Sequence, residues 1–390
     1  MSAPDETLDV FERGEKAAAA LGELADAVDA GAGCRESYRL VAEAGLLHML
    51  IPREHGGDGL SFAQCTRVLE ILGARDAATA LGLNMHNVSI GSLCEAGTDL
   101  PPAARPFQAF VFGEILNHRR MFASATSEPG SGAKLGGLRT TYTPSGDGFV
   151  LTGRKSFVSL AGIADYYVVA ARAVGDAADE VSHFVVRDTD PGVGFGALWP
   201  GTAMAGTSTA TMTLDRVPVG RERLFLNVEG MSLFKLAREP HWMVSGYTGV
   251  YLGLAGAILA ELTAIVRADD HRSGERAVQR EIGLLAARLA AARALTYTAC
   301  AAVDRERGSR AANAGVHAAK FTVGELLAEL ATAAVRLAGT RALDRTRPLA
   351  RYLRESQFCA VMPAKPADCL EYLGKTELAF DMRDVRSFAW

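Results

Sequence analysis

Two short stretches of this sequence carry side chains whose types and spacing could do chemistry. In Glu239-Pro240-His241 a carboxylate and an imidazole lie two residues apart, and an imidazole titrates near neutral pH and suits general acid–base work. The same stretch has a plainer reading. A proline marks the first turn of a helix, a carboxylate before it is favourable through the helix dipole alone, and a histidine beside Trp242 suits packing. In Ser124-Ala125-Thr126-Ser127-Glu128-Pro129-Gly130-Ser131-Gly132 hydroxyls are interleaved with glycines, and such a backbone can approach a phosphate closely. The six cysteines, Cys34, Cys65, Cys94, Cys300, Cys359 and Cys369, form no CxxC pair and have no histidine ligands nearby. That is the pattern of buried reduced thiols rather than of a disulfide frame or a zinc site.

Composition narrows the partners. The 41 basic and 45 acidic residues are interspersed, with a net charge of −4 and a pI near 6.1, so no basic face offers itself to nucleic acid or anionic lipid. The first residues, MSAPDETLDVFERGEK, lack the apolar run of a secretory signal. No later segment reads as eighteen apolar residues free of glycine and charge, and the expected location is the cytoplasm.

These residues need elements to position them. Apolar residues recur at helical spacing from Thr7 to about His118, with breaks at Pro52 and Gly56-Gly57, which predicts a set of short helices. Between Met121 and about Leu226 the pattern shifts to short runs such as Phe149-Val150-Leu151 and Tyr166-Tyr167-Val168-Val169, the mark of strands between turns. Long Ala- and Leu-rich helical patterns follow from Pro240. The expected fold is therefore α+β and multi-domain: an α-helical domain over 1–120, a β-barrel-like domain over 121–228 and a four-helix bundle over 229–390. Strands and helices do not alternate, which excludes a parallel α/β sheet as the main architecture.

This order, with particular stretches, resembles the acyl-CoA dehydrogenase superfamily over nearly the whole chain. Gly45-Leu46 through Gly56-Gly57-Asp58-Gly59 is similar to that family's first helix and loop. Thr126-Ser127-Glu128-Pro129-Gly130-Ser131-Gly132 is similar to its TEPxAGSD segment, and Leu151-Thr152-Gly153-Arg154-Lys155-Ser156-Phe157-Val158-Ser159 to its flavin-facing strand. The resemblance implies FAD, with FMN as the alternative, held by Ser124, Thr126, Ser127, Gly132, Phe157 and Ser159 in a cleft between the β domain and the bundle. It further implies that Arg272, Gln279 and Gly339 serve the cofactor of a neighbouring copy, and so a homo-oligomer, expected to be a tetramer. N–H donors aimed at a flavin ring stabilise the charge it gains on reduction.

The sequence departs from the family where the reaction is set. Ala133-Lys134 replaces Ser-Asp, Val335 replaces a glutamine, and the loop that carries the family's arginine is shortened around Arg272. The glutamate that takes the α-proton of an acyl thioester should stand nine residues after Arg354, where this chain has Pro363. The position used by other members on the first bundle helix becomes Met243. Glu239, four residues earlier, is the candidate displaced base, with His241 as a second. Three readings follow: dehydrogenation of an acyl thioester on CoA or a carrier protein, with an electron-transfer partner; oxygenation of a small molecule by flavin reduced by a separate reductase; and a non-catalytic relic of the fold.

Overall fold

The computed structural model describes residues 6–96, 100–132, 135–175, 180–232 and 239–381. Ala133 and Lys134, two of the departures noted above, lie outside them.

The amino-terminal helices are α1 (Glu6–Asp29), α2 (Arg35–Glu43), α3 (Phe62–Gly73), α4 (Ala77–Glu95) and α5 (Arg105–His118). Their starts are set by side chains. Ser61 and Gln64 form a capping box on α3, which satisfies two backbone donors reciprocally. Asp304, from the bundle, accepts the next two N–H groups, those of Phe62 and Ala63, at 2.8 and 3.1 Å. Asp76 caps α4 through Thr79. Helix α4 is buried on every side from Ala77 to Cys94, because it is clamped between the other two parts of the molecule.

The middle region is a curled seven-stranded sheet with β5 (Val181–Arg187) on β4 (Tyr166–Ala173), followed by β2 (Thr141–Ser145), β3 (Gly148–Val158), β7 (Ala210–Val219) and β6 (Val193–Leu198). Strand β1 (Phe122–Ala125) runs parallel to the first half of β4, in register Phe122 with Tyr166, and β2 takes over beside its second half. His86 of α4 fastens β1 to the helices. Its Nδ1 accepts from Phe122 N–H at 3.0 Å and its Nε2 reaches Leu47 O at 2.8 Å. Those two contacts require the neutral ring, and burial pushes its pKa down to about 4.

The bundle comprises α6 (Pro240–Val244), α7 (Gly246–Arg267), α8 (Asp270–Gly274), α9 (Arg276–Glu306), α10 (Arg310–Ala338), α11 (Pro348–Ser356) and α12 (Pro366–Glu377). The segment Pro240–Arg267 is long and apolar enough to cross a membrane by composition alone. Here it is the central core helix, packed by α3, α4, α9, α10 and α11. Glycines make that packing close: a Cβ at Gly253 would stand 2.1 Å from Glu70 O, and one at Gly249 would stand 2.6 Å from Thr66 O. The α3–α7 crossing therefore holds only without those methyls. Gly253→Ala is expected to push the helices apart and cost about 1–3 kcal/mol, read as a fall in the urea midpoint. An unchanged midpoint would show that the crossing is not tightly packed.

Candidate functional site

The hydroxyl- and glycine-rich loop after β1 is held in shape by an ion pair buried beneath it. Lys155 and Glu128 are both almost fully buried, with Nζ 2.6 Å from Oε1. Burial alone would raise the Glu128 carboxyl, but the Lys155 ammonium and the N–H groups of Thr140 and Arg139 bring it below its ordinary value. Those N–H groups donate at 3.0 and 2.6 Å. Lys155 also donates to Thr126 O at 3.2 Å, and Ser156 N–H donates to Ser127 O at 2.9 Å. Glu128 and Gly132 exchange backbone hydrogen bonds, so Pro129-Gly130-Ser131 forms a tight turn with Gly130 and Gly132 in the left-handed region.

Beside this loop, β3 leaves its ladder. The register to β7 slips between Lys155 and Val158, and Phe157 takes φ +56°, costly for a residue with a Cβ. The result is a phenylalanine 63% exposed at the end of a buried sheet. Its ring stands 5.5 Å from Trp199, which stands 5.6 Å from Phe358 of the bundle. Ser159 shares a hydroxyl contact of 3.2 Å with Thr209. The structure thus brings Ser127, Gly132, Phe157 and Ser159 together where the sheet meets the bundle.

These residues fit a flavin. An exposed ring on a strained backbone gives a planar cofactor a wall, the glycines leave its edge open, and Ser131 Oγ is buried with no hydrogen-bond partner among the described residues. Ser124 and Thr126, 3.3 Å apart through their hydroxyls, connect this wall to a cavity between α4, the sheet and α6. Glu239, Met243, His183 and Ser232 also line that cavity.

Glu239 occupies the cap position of α6, but its side chain makes no capping hydrogen bond. It faces the cavity instead, with Oε2 withdrawn from solvent. His241 does not join it. Its Nε2 lies 3.0 Å from Glu95 Oε1, while Trp242 Nε1 donates to Glu95 Oε2 at 3.0 Å. Together these contacts fasten α6 to the end of α4 and hold the His241 imidazole on Glu95, away from the residues that line the Glu239 cavity. The cavity does have one imidazole, which the sequence reading missed. His183 Nδ1 lies 2.6 Å from Ser232 Oγ, and only its inward place on β5 could have signalled it.

Arg272, Gln279 and Gly339 are placed within the bundle. Arg272 bonds Leu337 O, Gln279 donates to Ser273 O at 2.9 Å, and Gly339 turns through φ +61° with open space around it. Arg272 thereby joins α8 to the turn at Gly339, but neither is brought to Phe157 by any contact described within the chain. The loop after α11 is sealed. The buried Lys320 ammonium donates to Cys359 O at 2.7 Å and Ala364 O at 3.3 Å. Ala364 packs on Val244, next to Met243. Pro363 therefore sits in an ordered loop that brings no carboxylate of its own.

Comparison with known proteins decides the lineage. Family models described as the amino-terminal, middle and carboxy-terminal domains of acyl-CoA dehydrogenase match residues 15–100, 123–217 and 246–362. The chain belongs to the acyl-CoA dehydrogenase family. Cyclohexane-1-carbonyl-CoA dehydrogenase of Geobacter metallireducens is 28% identical over 338 residues, 84% of each chain. L-evernosamine nitrososynthase of a Micromonospora species is 29% identical over 380 residues, 92% of this chain and 87% of that one. Among solved structures, a dibenzothiophene monooxygenase from Paenibacillus superposes with a TM-score of 0.84 at 20% identity, covering 96% of this chain and 99% of the other. In this family member, Lys155→Met would leave the Glu128 carboxylate buried without its cation. The expected cost is about 3–5 kcal/mol together with loss of flavin binding, measured by urea unfolding and by absorbance of the purified protein. Wild-type stability and flavin content would contradict the assignment.

Proposed function

We propose that this chain is a flavin-dependent monooxygenase that receives reduced flavin from a separate reductase and acts on a small polar substrate in the Ser124–Glu239 cavity. The observation that carries this reading is the chemistry at the two positions where the family resemblance expects a thioester base: Pro363 and Met243 can neither take a proton nor polarise a carbonyl through a side chain. Pro363 also lacks the N–H that would help to bind a thioester oxygen, a contact whose loss typically costs about 3–4 kcal/mol of transition-state stabilisation. An oxygenase needs no such base. The relationship to a nitrososynthase over 92% of this chain supports the same reading.

When bound, the reduced flavin would supply electrons and activate oxygen. The chain's own residues do the rest. Phe157 and Trp199 wall the ring, Ser127 and Gly132 present backbone to its edge, and Ser124 and Thr126 separate it from the substrate. Met243 and Trp242 keep water from the reacting face. Gly339 has open space around it and Arg272 lies beside it, bonded to Leu337 O; the family resemblance would give them the far end of a neighbour's FAD, and with it a homo-oligomer. FMN, lacking that far end, would bind without them. The six buried free thiols agree with a cytoplasmic setting.

The position of Glu239 favours a second reading, in which it serves as the displaced base of an acyl-thioester dehydrogenase. Anaerobic titration of the flavin-loaded protein with acyl thioesters separates the two. The oxygenase reading expects no bleaching of the flavin, and expects labelled oxygen from O2 in the product when flavin is reduced by a reductase. Bleaching by a thioester that disappears in Glu239→Gln would replace it with the dehydrogenase; removing a general base typically costs a hundredfold or more in rate.

A further inference from the structure

We infer that Trp242 sets how large a substrate the Ser124–Glu239 cavity admits, and that a second cavity behind its ring is the space it withholds. The inference deepens the oxygenase reading and rests on the substrate's using that first cavity. The Ser124–Glu239 cavity has a volume of about 70 Å³. The second, between the segment before α3, the end of α4 and α9, has about 220 Å³. A space near 150 Å³ with apolar walls takes a benzene ring, so the first cavity is too small for a ring and the second is large enough. Among the described residues, Trp242 alone lines both. Helix α4 runs past both, giving Val88 and Ser89 to the first and Cys94 and Glu95 to the second.

The ring is a fixed partition. It seats on the bare backbone of α4 at Gly91, where a Cβ would stand 2.2 Å from indole Cε2. Phe62 meets it edge-on, with ring centroids 5.0 Å apart, and its Nε1 donates to Glu95 Oε2 at 3.0 Å. Beyond it the wall is largely apolar, formed by Leu50, Leu60, Phe62, Cys94 and Val303. The charged groups there are engaged with their neighbours. Asp304 accepts the N–H groups of Phe62 and Ala63, and Arg307 donates to Glu95 O at 2.9 Å and lies 3.2 Å from its carboxylate. The second cavity would therefore take an uncharged hydrocarbon extension of the substrate, since each buried methylene is favourable and an added charge would have to compete with pairs already made.

The 1-alkanols from 1-butanol to 1-decanol test this, each titrated calorimetrically into the flavin-loaded protein. In the unmodified protein affinity is expected to stop rising before 1-octanol. In Trp242→Ala the rise should continue for at least about three further carbons, at about fourfold per methylene. Val303→Phe, added to Trp242→Ala, fills the second cavity from its far wall and should restore the shorter limit, which a general loosening of the fold would not allow. If Trp242→Ala fails to fold, Trp242→Met, which refills part of the seat beside Phe62, is read in its place and should also lengthen the limit. No binding of any alkanol, an affinity that rises through 1-decanol in the unmodified protein, a limit unmoved in the Trp242 variant, or one that Val303→Phe does not restore would overturn the inference. Because the readout is binding, absence of oxygen incorporation would remove the oxygenase reading and leave the partition standing, whereas an unmoved limit would remove the partition and leave that reading.

Discussion

The Lys155 ammonium and the Glu128 carboxylate, 2.6 Å apart and both shut away from water, tie together the two segments from which the candidate flavin wall is made. A buried ion pair is a weak contributor to stability unless its remaining valences are satisfied, and here they are. Glu128 also takes the N–H groups of Arg139 and Thr140, and Lys155 also serves Thr126 O. Just after Lys155 the register of β3 to β7 slips, and Phe157 stands outward at φ +56°.

The same economy governs the cavity. Helix α4 is buried along nearly its whole length, with β1 fastened to its middle by His86 and α6 fastened to its end by Glu95. The hydroxyls of Ser124 and Thr126 and the carboxylate of Glu239 meet because those two attachments fix where β1 and α6 lie. Placing a carboxylate on a short helix start, beside a proline, holds it with few degrees of freedom. Losing the carboxylate at 363 and sealing that loop with Lys320 removes the family's usual proton acceptor without opening the site to water.

How much of this was legible in the sequence follows from the distances over which each feature is encoded. Helices, strands and helices again could be read from local periodicity, because each element buries one face. The flavin-facing loop and strand were legible as short contiguous resemblances. The Lys155–Glu128 pair was not, though both residues lie in those segments, because its members are 27 residues apart and nothing local couples them. His183 and Ser232 are 49 apart, and β5 reads as an ordinary apolar strand. His241 looked chemical by residue type, but its partner Glu95 is 146 residues away and only the tertiary fold shows that the imidazole lies on that carboxylate. Glu239 was read as helix cap before base, since a carboxylate ahead of a proline is favourable through the dipole alone; in the structure its side chain makes no capping hydrogen bond.

The claim that most of this account depends on is that Phe157 is exposed in order to wall a flavin ring. Titration of flavin-free protein with FMN and FAD, followed by the change in flavin absorbance, measures it directly for the unmodified chain and for Phe157→Ala. An aromatic contact of this kind is worth about 0.5–1.5 kcal/mol beyond the area it buries. The account therefore predicts that both flavins bind at least about tenfold more weakly to the variant, with its unfolding midpoint close to that of the parent because the ring removed is largely exposed. Unchanged flavin affinity in Phe157→Ala would contradict it.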